Sequence, residues 1–186
     1  HVRSRRQRQM CIRDRLELKP HEIQFGILKR LRGTPIIRHT AEYGLVFDPH
    51  PPYTILATDR IDFNEMQQLV RFARYWDLIA NSGRFAHTLP LILREMPFAN
   101  FMRLSNWLYA NTDATHRIAL ERLAVLVRQW LVTEGMDEEA AAELLRSDYA
   151  GQANTKLKTQ AARKQAVTEE KKAAQQDALS SLCLLY

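Results

Sequence analysis

Three cations beside a glycine turn are the residues of this sequence best suited to chemistry. The stretch LKRLRGTP (residues 28–35) places Lys29, Arg30 and Arg32 next to Gly33 and the start of a predicted helix. Cationic side chains and the free N–H groups of a helix N-terminus both favour an anionic ligand. The same pattern suits a solvated strand end, and it lacks the glycines and the Lys-Ser/Thr ending of a phosphate loop. The pattern alone favours the solvated strand end, and a candidate anion site is the functional alternative.

A second polar cluster lies in RFARYWDLIANSGRF (residues 71–85), which is typical of a helix followed by a turn. Arg74 and Asp77 are three positions apart, so an ion pair between them on one side of the helix is within reach. The alternative is that Arg71, Arg74 and Tyr75 form an edge that faces a substrate cavity. We favour the structural pair and keep the cavity edge as the second interpretation.

The sequence predicts no catalytic residue and no metal ligand. Two histidines four positions apart on one helix would indicate a zinc site, and the histidines show no such spacing. The carboxylates are scattered, so they indicate no acid–base pair. Ser82 precedes Gly83 but lacks the rest of a nucleophile elbow. These patterns leave the chain without self-contained catalytic machinery.

The positive charge is concentrated towards the two ends of the chain. The net charge of +6 would suit a nucleic-acid partner, but residues 1–15 contribute +5 and residues 151–177 contribute +3. Residues 16–150 hold 15 Lys and Arg against 17 Asp and Glu, a slightly acidic balance. A near-neutral surface gives little counterion-release affinity for phosphate backbones, so we do not expect a nucleic-acid partner.

Both ends of the chain resemble translated sequencing-adapter DNA. RRQRQMCIRDR (residues 5–15) matches the in-frame translation of a transposon end used in library preparation, and CLLY (residues 183–186) matches its reverse complement. We therefore expect residues 1–15 and 183–186 to be adapter-derived, and residues 1–15 to be disordered. Cys11 and Cys183 both lie in these stretches, so no disulfide or cysteine metal site is expected between them. The alternative is a genuine basic arm.

The elements that must position the candidate residues begin with short extended segments. EIQFGIL (residues 22–28) alternates apolar residues with polar ones and glycine, which predicts a strand, and TILAT (residues 54–58) predicts a second short extended run. Between them, TPIIRHTAEYG (residues 34–44) predicts a short helix with Thr34 as its cap.

Helices are predicted to make up the rest of the fold. The clearest begins at Asp62, which forms a capping-box pattern with Glu65, and ends at Gly83. Apolar residues recur along it at helical spacing, so one face is predicted to be buried. The other predicted helical segments are Thr88–Met96, Pro97–Asn111, Thr115–Gly135 and Asp137–Gly151. The predicted fold class is mainly α, with one or two strands followed by about five helices.

Several motifs in order resemble the C-terminal region of cobalamin-binding radical SAM proteins. They are EIQFGILKRLRGTP, EYGLVFDPHPPYTIL and RFARYWDLIANSGRF, and the resemblance covers residues 20–145. It implies that Gln24–Leu28 is the last strand of a partial β/α barrel, followed by a helical C-terminal extension. It also implies that Gly33, Thr34 and Pro35 lie at the barrel mouth, where they would bind cofactor. Lys29, Arg30 and Arg32 would then contact substrate or the carboxylate of S-adenosylmethionine.

The same resemblance implies that this chain is part of a longer parent protein and that the two differ in what they bind. The parent would use a 4Fe–4S cluster, S-adenosylmethionine and cobalamin, and this fragment would hold no cofactor and catalyse nothing by itself. Its expected partner is the rest of the parent chain, meaning the radical SAM barrel and the cobalamin domain. No apolar run approaches the roughly 18 residues of a membrane span, and the first residues contain no apolar h-region of a secretory signal, so we expect a cytoplasmic location.

The expected domain organisation follows from these segments: an adapter-derived stretch (1–15), the terminal barrel strand (16–35), a helical C-terminal domain (36–150), a polar tail (151–182) and a second adapter-derived stretch (183–186). The expected function is to brace the barrel and to close its substrate side. The alternative function is a small helical binding module whose basic arms dock on nucleic acid or on a protein partner.

Overall fold

The computed structural model describes residues 12–150, and over this range the protein is mainly helical, as predicted. Residues 12–17 and 138–150 are helical. The chain divides into two compact units, His1–Leu145 and Arg146–Tyr186, and the described part of the second unit is helical. Four helices with both ends inside the described range are named here α1 (Phe63–Ile79), α2 (Thr88–Leu93), α3 (Pro97–Thr112) and α4 (Leu120–Thr133).

Helix α1 begins where the sequence predicts it, because its cap and its apolar face are both local features, but it ends at Ile79 and not at Gly83. The Asp62 carboxylate accepts a hydrogen bond of 2.8 Å from the backbone N–H of Glu65, which satisfies one of the free donors of the first turn. The helix then buries one face against α3. Its buried residues are Met66, Phe72, Ala73, Tyr75, Trp76 and Ile79.

Aromatic rings form the centre of the core between α1 and α3. The Phe72 and Trp76 rings are stacked with their centroids 5.6 Å apart. Phe101 on α3 meets both rings edge-on, at centroid distances of 5.1 Å and 4.8 Å. Such pairs add about 0.5–1.5 kcal/mol each beyond the area that they bury, so this cluster fixes how α1 crosses α3.

A small antiparallel sheet lies before α1. Strand β1 (Val46–Phe47) pairs with strand β2 (Ile55–Ala57), with Val46 opposite Ala57 and Phe47 opposite Ile55. The second predicted run is therefore a strand. The proline-rich connection between the strands turns the chain back, β2 packs on α1, and Ile55 of β2 is buried.

The first predicted strand, Gln24–Leu28, does not form a regular strand in the described structure. Residues 22–28 have no assigned secondary structure, although Lys29 makes an isolated antiparallel bridge to Thr54. One of its apolar residues still packs against the core, because the centre of the Phe25 ring lies 5.2 Å from that of the Phe72 ring. The segment is extended but lacks a neighbouring strand over most of its length.

Two shorter segments also differ from their predictions. Residues 34–44 form a single 3₁₀ turn (Pro35–His39) and further turns rather than an α-helix. Residues 12–15, expected to be disordered, are helical, and Ile12 is buried in the core at 4% exposure. The predicted polar tail and the remaining adapter-derived positions lie outside the described residues. Among the helices that the structure describes, none has both the length and the apolar character needed to cross a bilayer.

Candidate functional site

The three predicted cations lie together along the chain but do not converge on one point. Lys29 and Arg32 are exposed, and neither forms an ion pair with another described residue. Arg30 is half-buried, and its guanidinium carbon lies 5.6 Å from the centre of the Phe47 ring. This cation–π contact is worth about 0.5–1 kcal/mol at such a site. Arg30 therefore has a structural contact, whereas the other two cations remain available to a ligand.

The hydrogen-bond donors of the turn at Gly33–Pro35 bond within the turn region itself. Gly33 takes a positive φ of 78°, which a residue without a Cβ adopts at little cost. The backbone N–H and the hydroxyl of Thr34 both donate to the carbonyl of Leu31, at 3.3 Å and 2.7 Å. Thr34 thus does not cap the following helix, and the five-residue 3₁₀ turn that starts at Pro35 presents no helix N-terminus of useful length. Contact of these residues with a cofactor stays a prediction.

The most specific polar contact of the region was not predicted from the sequence. The side-chain amide of Asn81, just after α1, forms two hydrogen bonds with the backbone of Ile23. Its Oδ1 accepts from the Ile23 N–H at 3.1 Å, and its Nδ2 donates to the Ile23 carbonyl at 3.1 Å. Nδ2 also donates to Asp77 at 2.8 Å. Asn81 therefore takes the place of a neighbouring strand at one end of the extended segment, and we call this arrangement the Asn81 clamp.

A pair of backbone bonds fixes the other end of the extended segment. The carbonyl of Leu28 accepts from the N–H of Ile55 at 2.9 Å, and the N–H of Arg30 donates to the carbonyl of Tyr53 at 3.0 Å. Between these bonds and the Asn81 clamp, the backbone groups of residues 24–27 bond to no other described residue. The segment is held at both ends and is open in its middle.

Two open clefts border this segment. The first has a volume of about 330 Å³, and its apolar wall includes Leu69, Phe72 and Phe98. The second has a volume of about 620 Å³, and Glu22, Asp77, Asn81 and Ser82 supply polar groups to it. Gln24, Phe25 and Gly26 line both clefts, and a Cβ at Gly26 would meet no atom within 4 Å. The middle of the segment is thus accessible from both sides.

Two of the three Arg and Tyr residues singled out on α1 have contacts within the fold, whereas Arg74 is exposed. The Tyr75 hydroxyl donates to the carbonyl of Ala114 at 2.7 Å, and its side chain is fully buried. Burial raises the pKa of the Tyr75 phenol above its ordinary value of 10.0. The Arg71 guanidinium lies 4.4 Å from the centre of the Tyr109 ring. The structure shows no ion pair between Arg74 and Asp77, and Asp77 accepts a hydrogen bond from Asn81.

A surface pair follows the 3₁₀ turn. Nδ1 of His39 lies 3.1 Å from a carboxylate oxygen of Glu42. This hydrogen bond lowers the pKa of the Glu42 carboxyl, and a further one from Tyr43 acts in the same direction. Both side chains are exposed, so the pair contributes little to stability. Within residues 12–150, no three His, Cys, Asp or Glu side chains are grouped as a metal site would require.

Comparison with protein families gives a match to the C-terminal three-quarters of the chain. The family described as "Protein of unknown function (DUF4080)" matches residues 41–182. The match includes α1 to α4, the Asn81 clamp residue and the stretch predicted as a polar tail. No curated protein and no solved structure matches the chain.

Proposed function

Since the chain belongs to the DUF4080 family, we propose that it is the C-terminal portion of a cobalamin-dependent radical SAM enzyme. In this proposal the helical domain braces the barrel of the parent and closes its substrate side, and the chain alone is not catalytic. The resemblance of the three ordered motifs to such proteins supports the assignment. The single structural observation that carries it is the Asn81 clamp, which ties an extended, strand-like segment to a helical core.

The bracing role rests on how the clamp joins two kinds of structure. Ile23 is 7% exposed and Phe25 packs edge-on against Phe72 and Trp76, both at 5.2 Å. Contacts with α1 would therefore position a strand that enters a barrel next to these residues. The apolar contacts hold the face of the strand, and the clamp holds its backbone. A helical domain attached in this way would transmit its rigidity to the barrel edge.

The cofactors of the proposed parent fit the described residues only in part. A 4Fe–4S cluster is held by cysteine thiolates, and residues 12–150 contain no cysteine. The residues do not fit the cluster, so in this proposal the cluster and cobalamin are held elsewhere in the parent. We keep Gly33, Thr34 and Pro35 as proposed contacts to S-adenosylmethionine, and the neighbouring cations as proposed contacts to substrate or to its carboxylate.

The genomic sequence upstream of this segment gives the most direct test. The proposal requires a contiguous reading frame that encodes a CxxxCxxC motif before residue 16, followed by alternating strand and helix patterns. A complete gene without that motif would overturn the assignment. A frame in which the first fifteen codons are continuous with genomic DNA would also restore the basic arm as protein sequence.

A second test addresses the cations in the intact parent enzyme. Replacing Lys29, Arg30 and Arg32 by glutamine should lower the rate of S-adenosylmethionine cleavage by about tenfold or more. This is the effect expected when the transition state loses one charge-assisted hydrogen bond of about 1.5 kcal/mol. Arg38→Gln is the matched control, because Arg38 is an exposed arginine of the adjacent 3₁₀ turn. Unchanged turnover in the triple variant would assign these cations a structural role.

A further inference from the structure

The residue that follows Asn81 distinguishes this asparagine from the others in the chain. Six asparagines occur in the sequence, and Asn81 is the one that is followed by serine. Asn81 lies beyond the end of α1, and the N–H of Ser82 bonds to no other described residue. The other asparagines that the structure describes lie inside α1 or α3, where the next N–H belongs to the helix: Asn64, Asn100, Asn106 and Asn111.

Water and space are both available at this position. Asn81 and Ser82 are half-buried, and both line the open cleft of about 620 Å³. Serine is small and not β-branched, so its side chain does not crowd the backbone nitrogen that precedes it. A backbone nitrogen without a partner, a neighbouring carboxamide carbon and access to water are the requirements for intramolecular loss of an asparagine amide.

We infer that Asn81 is a deamidation site and that the Asn81 clamp controls its reactivity. In this reaction the backbone nitrogen of Ser82 attacks Cγ of Asn81 and loses its proton to water. The bond between Cγ and Nδ2 then breaks, and ammonia leaves after Nδ2 takes a proton from water. Water opens the resulting five-membered succinimide ring at either carbonyl, which gives aspartate or isoaspartate. The net reaction consumes one water and releases one ammonia.

The clamp opposes the first step of this reaction. Oδ1 of Asn81 accepts from the Ile23 N–H, and Nδ2 donates to the Ile23 carbonyl, both at 3.1 Å. Attack makes the planar amide carbon tetrahedral and draws it towards Ser82, so the amide must leave Ile23 first. Two partly buried hydrogen bonds of ordinary strength make the open state about 5- to 150-fold rarer, and the reaction should be slower by the same factor.

The product of the reaction cannot form the clamp again. A carboxylate has no N–H, so the Ile23 carbonyl loses its donor, and the new charge faces Asp77 where Nδ2 had donated at 2.8 Å. Glu22 lines the same cleft, so a third carboxylate joins two others, and like charges repel. Isoaspartate also adds one carbon to the backbone. Deamidation therefore makes the release of residues 22–28 from the helical core permanent.

This inference goes beyond the proposed function and does not depend on it. It uses only the described contacts of Asn81 and the chemistry of its own amide. A parent gene without the cluster motif would remove the enzyme assignment and leave the modification site unchanged.

The experiment incubates the full 186-residue chain in mildly alkaline buffer and maps it with trypsin at intervals. Cleavage after Arg74 and Arg84 gives a peptide of residues 75–84, in which Asn81 has the only carboxamide side chain. Replacement of NH by O in the mass of this peptide therefore reports Asn81 alone. Aspartate and isoaspartate forms should both appear on chromatography. The peptide of residues 104–117, which contains Asn106 and Asn111, should keep its mass and is the internal control.

Three comparisons test control by the clamp. The synthetic peptide of residues 75–84 gives the unprotected rate, and the folded chain should react about 5- to 150-fold more slowly. Ile23→Ala weakens the packing of the clamped segment and should bring the rate towards that of the peptide. Ile37→Ala, the same change at an isoleucine that is 55% exposed, should stay within about twofold of the parent chain. Ser82→Thr keeps the hydroxyl but adds a methyl group beside the attacking nitrogen, and it should react more slowly.

A separate variant tests the consequence of the reaction. Asn81→Asp has the side chain of one product, so amide hydrogen exchange at Ile23 should accelerate by at least about fivefold. The amide of Leu104 in the core of α3 should keep its protection.

Four outcomes would overturn the inference. These are a rate in the folded chain that equals the peptide rate or falls below the stated range, aspartate without isoaspartate, Ile23→Ala no faster than Ile37→Ala, and unchanged protection of Ile23 in Asn81→Asp. If Ile23→Ala or Asn81→Asp fails to fold, the peptide comparison and Ser82→Thr decide the question.

Discussion

Truncation of Asn81 should release the extended segment from the helical core. Asn81→Ala removes the acceptor that faces the Ile23 N–H and the donor that faces its carbonyl, both at 3.1 Å. It also removes the 2.8 Å bond to Asp77. Helix α1 ends at Ile79, before this position, so its hydrogen-bonding pattern stays intact. The change therefore acts on the connection between the two structures and not on either one alone.

The cost can be estimated from the burial of the three bonds. The two bonds to Ile23 are partly buried, and each contributes about 0.5–1.5 kcal/mol net. The bond to Asp77 is exposed and adds little, because water replaces it. The segment should lose about 1–3 kcal/mol of local stability, which corresponds to a population of the open state about 5- to 150-fold larger.

Amide hydrogen exchange at Ile23 measures this local opening directly. Exchange at Ile23 should accelerate by about that factor, while core amides on α3 such as Leu104 keep their protection. Asn111→Ala is the matched control, because Asn111 is an exposed asparagine whose amide donates to the carbonyl of Trp107 in its own helix. That variant should change stability by less than about 0.5 kcal/mol.

Either of two results would contradict the role of the Asn81 clamp. One is an Ile23 exchange rate in Asn81→Ala that equals that of the parent chain. The other is acceleration spread equally over Ile23 and Leu104, since a global loss of stability would show that Asn81 acts on the whole fold.

Three further predictions concern the elements around the segment. Asp62→Ala should lower the free energy of unfolding by about 1 kcal/mol through loss of the α1 cap, and an unchanged urea midpoint would contradict it. Gly44→Ala should destabilise by about 1–2 kcal/mol, because φ is +55° and a Cβ would meet the backbone nitrogen of Asp59 at 3.1 Å; a stabilised variant would contradict this. The pKa of the Tyr75 phenol is raised in the folded protein, so the folded state favours the neutral phenol. The contribution of Tyr75 to the free energy of unfolding is therefore fully present below pH 10.0, and it is lost as the pH rises through the pKa of the folded state. Tyr75→Phe should be less stable at neutral pH and lose less stability in alkaline titrations, and parallel curves would contradict the assignment.

The sequence determined those features that depend on neighbours within one or two turns. The mainly helical fold and the start of α1 at Asp62 follow from side-chain spacing and from a carboxylate three residues before a free N–H. The amphipathic pattern also indicated that Met66, Trp76 and Ile79 are buried. These features need no partner from elsewhere in the chain, since a helix satisfies its own backbone.

The tertiary structure decided every feature that needs a distant partner. An alternating pattern indicates an extended chain, but whether residues 22–28 form a strand depends on a neighbour, and here an asparagine 58 positions away supplies the only partner of Ile23 among the described residues. The sequence showed the basic cluster. It did not show that Arg30 lies against the Phe47 ring or that the Thr34 hydroxyl donates to the Leu31 carbonyl. Every residue except proline carries the same backbone N–H and C=O groups, so composition cannot tell which of them remain unpaired. Only the packed arrangement of the segment against α1 and β2 shows that the backbone groups of residues 24–27 bond to no other described residue.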